Sequence, residues 1–261
     1  MNKRLVILFA FLALITLIVV LNFTVFAVKE IDVQNSYEGD WQFDKQKIVK
    51  DTLIKTTTNI LSVSENKTIK NIEASNPEVK VLNIEKHFPN RITIFITKRV
   101  PVVAVKIKDT NQYAIIDSDF YIIKCTETPQ NVAIFNGEEL ALNEISINNL
   151  PGTTLSGSGN GQLQTLRILL DACAQINDLS RERFAFFFNS VSFEGEHYIL
   201  LKTNSGITFS LIKQNDILMQ IQGCYSIFNS AELSDIQKRT GFLNPTTLGW
   251  EYSLEKPKIT P

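Results

Sequence analysis

The 261-residue chain sets 26 lysines and arginines against 27 aspartates and glutamates. That balance argues against a nucleic-acid binder, which shows a basic surplus, and it gives no polybasic patch for anionic lipid. Three cysteines, Cys125, Cys173 and Cys224, cannot all pair within one chain and fit no zinc spacing, so at most one disulfide can form and none is expected to be structural.

Residues 5–28 (LVILFAFLALITLIVVLNFTVFAV) hold no charged side chain. As a helix this run reaches roughly 36 Å, more than the ~30 Å hydrocarbon core of a bilayer, and it predicts a transmembrane helix. Asn2, Lys3 and Arg4 precede it. Positive charge at a short N-terminus holds that end in the cytoplasm, so residues 1–4 form a cytoplasmic tail and the remainder is expected outside. The rival reading is a cleaved secretory signal, whose apolar region spans about 7–15 residues before a small-x-small site. Here Ala27, the nearest small residue, lies between Phe26 and Val28. An uncleaved anchor is preferred.

Residues 28–33 suit a short strand, followed by a polar loop through Asp40. Asp44 can cap a helix over about 45–62, with Val49, Leu53, Ile60 and Leu61 on one face, although Thr56, Thr57 and Thr58 lower its propensity. A second helix is predicted over 66–75, ended by Asn76-Pro77. Two strands follow. Simple alternation puts Val79, Val81, Asn83 and Glu85 on one face of the first and Lys80, Leu82, Ile84 and Lys86 on the other. Ile92, Ile94 and Ile96 line one face of the second, and the turn 87–90 reads as a hairpin. Strand-helix-helix-strand-strand makes a small α+β module, residues 29–101, whose helices cover one face of the sheet. Phe88-Pro89 fixes a turn, and Pro101, which cannot extend a ladder through its nitrogen, marks the passage into a second domain.

That second domain, residues 102–230, reads as β-rich with two helices. Residues 113–124 form a strand pair around Asp117-Ser118-Asp119, and Ala133-Ile134-Phe135 is a short strand ended by Asn136-Gly137. After a polar stretch over 150–161 comes a helix over about 162–178, striped by Leu163, Leu166, Leu170 and Cys173. Residues 184–193, 196–203 and 206–213 are strand-like, with a hairpin turn at Asn204-Ser205-Gly206. A last helix over about 215–230 carries Leu218, Ile221, Tyr225 and Phe228. The tail, 231–261, holds one possible strand near Leu248, Trp250 and Tyr252 and is otherwise expected to fray.

Particular residues make a resemblance. They are Asn76-Pro77-Glu78-Val79, then Ile84 to Ile94 (IEKHFPNRITI), then Lys98-Arg99-Val100-Pro101-Val102-Val103-Ala104. With the anchor and the element order, this pattern resembles the bacterial cell-division proteins FtsQ and DivIB, whose first extracytoplasmic domain is a POTRA domain. Phe88, Pro89, Arg99 and Pro101 carry the motif here. The following Tyr113-Ala114-Ile115-Ile116-Asp117 also resembles the family, which usually places a glycine two or three residues after that aspartate; this chain has Ser118-Asp119-Phe120. The likeness is good over residues 5–125 and fades beyond about 230.

Catalytic groups are hard to find. The glycine run 157–161 lacks a Gly-Lys-Ser/Thr ending, so it reads as a connector and not a phosphate loop. His87 and His197 sit in turns with no second ligand at metal spacing, and Cys125 or a serine could be a nucleophile only with one of these two histidines as its base. Asp117 with Asp119, and Glu194 with Glu196, could be imagined as paired acids, but acidic residues are ordinary in turns. No metal, no cofactor and no enzyme activity is expected.

The resemblance implies a non-enzymatic scaffold in the cytoplasmic (inner) membrane, concentrated at the division septum. Its implied partners are FtsB/DivIC-like and FtsL-like membrane proteins and, through them, the septal peptidoglycan synthase. The recognition mode would be strand addition at a sheet edge in the C-terminal part, with Leu248, Trp250 and Tyr252 as candidates. Trp250 either serves that interface, in which case Trp250→Ala should weaken binding of a DivIC-type partner and leave the thermal midpoint alone, or simply caps the domain core. The alternatives are a POTRA-type docking module in polypeptide transport and a wall-active hydrolase.

Overall fold

The computed structural model describes residues 3–142, 146–155, 161–176, 179, 183–247 and 249–257, with the backbone alone for 3, 5, 6 and 21–23. The chain divides into two compact units, Met1–Arg99 and Val100–Pro261.

The first unit opens with helix α1 (Lys3–Thr24), whose described side chains from Ile7 to Val20 are all exposed. Among the described residues, no helix is long and apolar enough to cross a membrane. The apolar run of the sequence does not stay helical throughout. It leaves α1 at Thr24, and Ala27 and Val28 are buried in the folded part of the unit.

Strand β1 (Glu30–Asn35), helices α2 (Lys45–Asp51) and α3 (Glu65–Ser75), and strands β2 (Val79–His87) and β3 (Arg91–Lys98) follow. The sheet runs β1-β3-β2, with β1 parallel to β3 and β2 antiparallel to it. Ile92, Ile94 and Ile96 of the central strand are wholly buried, together with Ile48 of α2 and Ile72 of α3. That is the α+β layer the alternating pattern calls for: apolar side chains of one sheet face meet the apolar stripes of two helices.

Two local readings fail for identifiable reasons. The helix expected over 45–62 is broken. Asp44 does cap α2, accepting the Lys47 N–H at 2.9 Å, but the helix ends at Asp51. Leu53 takes a left-handed φ of 57° and is exposed, as is Leu61. Threonine hydroxyls capture the backbone groups a helix would have used: Thr52 Oγ1 accepts the Ile54 N–H and Thr58 Oγ1 the Lys55 N–H. In β2, one extra residue disrupts the alternation. Val81 pairs with Ile96 but Asn83 with Phe95, so Leu82 is bulged out. The bulge reverses the parity of everything after it, which puts Ile84, and not Glu85, on the core face with Val79 and Val81.

Among its described residues, the second unit holds one nine-stranded mixed sheet. Its strands are β4 (Val103–Ile107), β5 (Tyr113–Ile116), β6 (Ile122–Thr126), β7 (Ala133–Leu140), β8 (Phe188–Glu194), β9 (Tyr198–Thr203), β10 (Thr208–Ile212), β11 (Phe242–Thr246) and β12 (Gly249–Ser253). Their spatial order is β12-β11-β10-β9-β8-β7-β4-β5-β6. Pairing is antiparallel except at β4–β7, β7–β8 and β10–β11. Helices α4 (Gln162–Ala174) and α6 (Ile217–Asn229) pack on each other and on the sheet.

Strand β7 runs past Asn136-Gly137 to Leu140, longer than expected. Residues 184–187 form a single helical turn, α5 (Phe184–Phe187), and not a strand. The Asn204 side chain donates to the Ala185 and Phe186 carbonyls, satisfying groups that the turn leaves open. The turn sends Phe184 into an aromatic core with Phe188 and Phe209, the first two with ring centroids 4.9 Å apart.

Three residues after Asp117, Phe120 stands with φ at 63°, buried and in the left-handed region. Asp117 holds that turn, its Oδ1 accepting the Asp119 and Tyr121 N–H groups.

Candidate functional site

Any open sheet ends in two strands with unpaired backbone groups, and those edges are where another chain can add. At the β6 edge the chain covers part of itself. Ile122 donates its N–H to Thr153 and accepts from Gly152, Leu155 donates to Phe120, and Tyr121 bridges Thr154. At the other edge, β12 pairs with β11 on one side and, among the described residues, with no other strand.

The direction of the open groups follows from β11. Gly241 gives its carbonyl to the Thr208 N–H on the β10 side. Along a strand, successive residues turn their N–H and C=O to opposite sides, so Leu243 and Pro245 also face β10, and Phe242, Asn244 and Thr246 face β12. Pro245, lacking an N–H, thus takes nothing from the β12 ladder. Asn244 stands opposite Glu251 and Pro245 opposite Trp250. On β12, then, Gly249, Glu251 and Ser253 turn inward, and Trp250 and Tyr252 turn their backbone groups out.

Their side chains do something different. Both are half-buried and packed on the core of the second unit. The Trp250 indole lies against α6 at Gly223, where a Cβ would stand 2.7 Å from Nε1, so only glycine lets the ring approach so closely. Tyr252 packs over Gly241. The two aromatics anchor β12 to the core. Trp250→Ala would therefore lower stability as well as any affinity, as the core-capping alternative expects. Leu248 lies outside the described residues.

Placement of β11 depends on Gly206, with φ at 123°, after which the Ile207 N–H donates to Lys238 and the Thr208 N–H to Gly241. A Cβ there would run into the Arg239 carbonyl oxygen. Gly206→Ala is expected to destabilise the second unit by about 1–3 kcal/mol and to loosen β11 and β12 first, read as faster amide exchange there than in β8.

The POTRA motif residues are not gathered into one site. Phe88 and Pro89 form the exposed tip of the β2–β3 hairpin, whereas Arg99 lies at the hairpin's opposite end, buried against Glu73 of α3 at 2.9 Å. Pro101 is half-buried just before β4. Sequence reasoning missed β11, Gly223 and Asn244. Pro245 hid the first, since proline argues against a strand interior.

Among the described residues, the remaining candidates are not brought together into one reactive group. His87 lies 3.6 Å from Glu85 in a solvated pair, and His197 is exposed in a hairpin turn. Glu194 is bound by Lys256 at 2.8 Å. The cysteines are free, and burial pushes the Cys173 thiol up to about 12, Cys224 well up, and half-buried Cys125 up as well. Among the described residues, no group of three metal-ligating side chains comes together. Residues 156–160 of the glycine-rich run lie outside the described residues.

Residues 26–99 match the family model of the POTRA domain of FtsQ type, so the first unit carries that domain. The chain is 26% identical over 145 residues to a cell division protein DivIB of Clostridium botulinum strain Hall, covering 56% of this chain and 54% of the relative. It is 29% identical over 121 residues to a DivIB of strain Loch Maree, covering 46% and 42%. The chain spans about half the length of the curated relatives it matches. The chain thus carries an FtsQ-type POTRA domain and, over about half its length, is similar to cell division proteins named DivIB.

Proposed function

We propose that this chain is a non-enzymatic scaffold of the bacterial divisome, held at the outer face of the cytoplasmic membrane by the helical part of the 5–28 run and concentrated at the septum. Its POTRA module and second domain bind other division proteins. The partner class is the FtsB/DivIC-like and FtsL-like membrane proteins, which link it to septal wall synthesis.

The observation that carries this reading is the open β12 edge, at the end of a large sheet whose opposite edge is partly covered. A segment of the partner would pair with the outward backbone groups of Trp250 and Tyr252, which gives affinity through main-chain hydrogen bonds. The anchor rests on the uncharged run after Arg4 and on the exposed apolar side chains of α1.

The test is a fluorescent fusion in dividing cells, paired with depletion. Mid-cell rings and filamentation on depletion are expected. A uniform envelope signal with normal division would overturn the reading.

A further inference from the structure

We propose that the end of the first unit where the chain leaves α1 is a lipid-contacting rim, with Phe88 and Leu61 seated in the headgroup layer of the bilayer. This rests on the reading of the helical part of the 5–28 run as the anchor.

Three backbone connections tie two loops to the exit of the helix. Ile60 N–H donates to the Phe26 carbonyl at 2.8 Å, Val28 N–H to Thr58 at 2.9 Å, and Lys29 N–H to Asn90 at 2.9 Å. The parallel register Glu30↔Arg91 puts the start of β1 beside the start of β3, so the hairpin tip 88–90 lies at that same end. Only Val25 separates Thr24, the last residue of α1, from Phe26. Two residues of extended chain cover at most about 7 Å. The headgroup layer on each side of the hydrocarbon is about 5–8 Å thick. With α1 inserted, residues 58–61 and 88–90 are thus confined to headgroup depth.

The side chains they present suit that layer. Phe88 is 59% exposed and Leu61 is 63% exposed, one on each of the two tethered loops. The loop at 59–62 is fixed through its backbone and Asn59, whose Oδ1 accepts the Leu61 N–H at 2.8 Å, so folding makes no demand on the Leu61 side chain. Apolar side chains placed at an interface gain free energy by partial burial among acyl chains.

The charges nearby are largely neutralised: Arg91 by Glu30 at 3.0 Å and Lys86 by Glu65 at 3.1 Å. Lys29 and Lys55 are exposed and form no ion pair among the described residues. Their sign favours phosphate headgroups, although two cations make the contact lipid-tuned and not charge-driven.

The test uses the full chain in vesicles of phosphatidylcholine and phosphatidylglycerol, with Phe88→Trp, Leu61→Trp and, as reference, Leu82→Trp. Leu82 is also exposed but lies six residues back along β2, about 20 Å from the tip. Emission is read above that of Trp41 and Trp250, with nitroxide lipids as quenchers. The rim predicts severalfold stronger quenching at positions 88 and 61 than at 82, greatest with the nitroxide at the top of the acyl chain. Equal quenching at all three positions, in protein that survives alkaline carbonate extraction with the vesicles, overturns the rim and leaves the anchor standing. Release of the protein into the carbonate supernatant overturns both.

Discussion

Replacing Arg99 with alanine is expected to cost the first unit about 3–5 kcal/mol. The Arg99 side chain is 3% exposed, and its Nη2 lies 2.9 Å from Oε2 of Glu73, itself 15% exposed. The guanidinium also donates through Nε to the Val79 carbonyl at 3.1 Å, and the other Glu73 oxygen accepts the Val81 N–H at 2.9 Å. The pair therefore fastens α3 to the first half of β2, just before the bulge. Removing the guanidinium leaves an enclosed carboxylate with no cation, and that uncompensated charge, more than the lost attraction, dominates the cost.

The Asp32–Lys45 pair makes the contrast. It is shorter, 2.6 Å, but its side chains are 33% and 52% exposed. Lys45 holds the Asp32 carboxyl below its usual range, mainly through their hydrogen bond, yet Lys45→Ala should cost under about 1 kcal/mol because water screens an exposed pair. Denaturant unfolding of the single variants and of Arg99→Met/Glu73→Met reads the difference. The double variant should recover part of the loss, short of about 1 kcal/mol for the Val81 N–H left without its acceptor. An Arg99→Ala loss no larger than that of Lys45→Ala would show the buried pair to be hydrated.

The legible parts of this fold are those in which one rule acts alone. Ile92, Ile94 and Ile96 alternate without interruption, and all three are wholly buried on one face of the central strand. Asp44 precedes a helical pattern, and it accepts a hydrogen bond from the first turn. The illegible parts are those in which a local competitor wins. One extra residue at Leu82 reverses a strand's faces, and nothing in composition announces it. Thr52 and Thr58 take backbone N–H groups for themselves, and a predicted long helix becomes a seven-residue one. Phe120 holds a conformation that favours glycine because its ring is buried and the Asp117 carboxylate fixes the turn around it.

At the candidate site the strand near Trp250 was visible from its residue types. What could not be read was its role as an edge, because that depends on β11. Pro245 concealed β11, yet its missing N–H is harmless on the side away from β12.

That same backbone polarity makes the strand-addition reading separable from simple packing. Tyr252→Ala and Tyr252→Pro both remove the ring that packs over Gly241, so their thermal midpoints should fall together. Only the proline removes the outward N–H and places a ring where an incoming strand would lie; the ladder to β11 runs through Glu251 and Ser253 and is spared. Affinity for the DivIC-type partner proposed above should therefore be tenfold or more lower in the proline variant than in the alanine variant, about 1.4 kcal/mol or beyond. Glu251→Pro gives the mirror result. Its N–H faces β11, so it should unfasten β12 from the sheet and lower the midpoint more than either change at 252. Titration calorimetry for affinity and thermal unfolding for stability keep the two effects apart. Equal affinity of Tyr252→Ala and Tyr252→Pro would mean that no strand adds at β12, and that Trp250 and Tyr252 serve only to close the core.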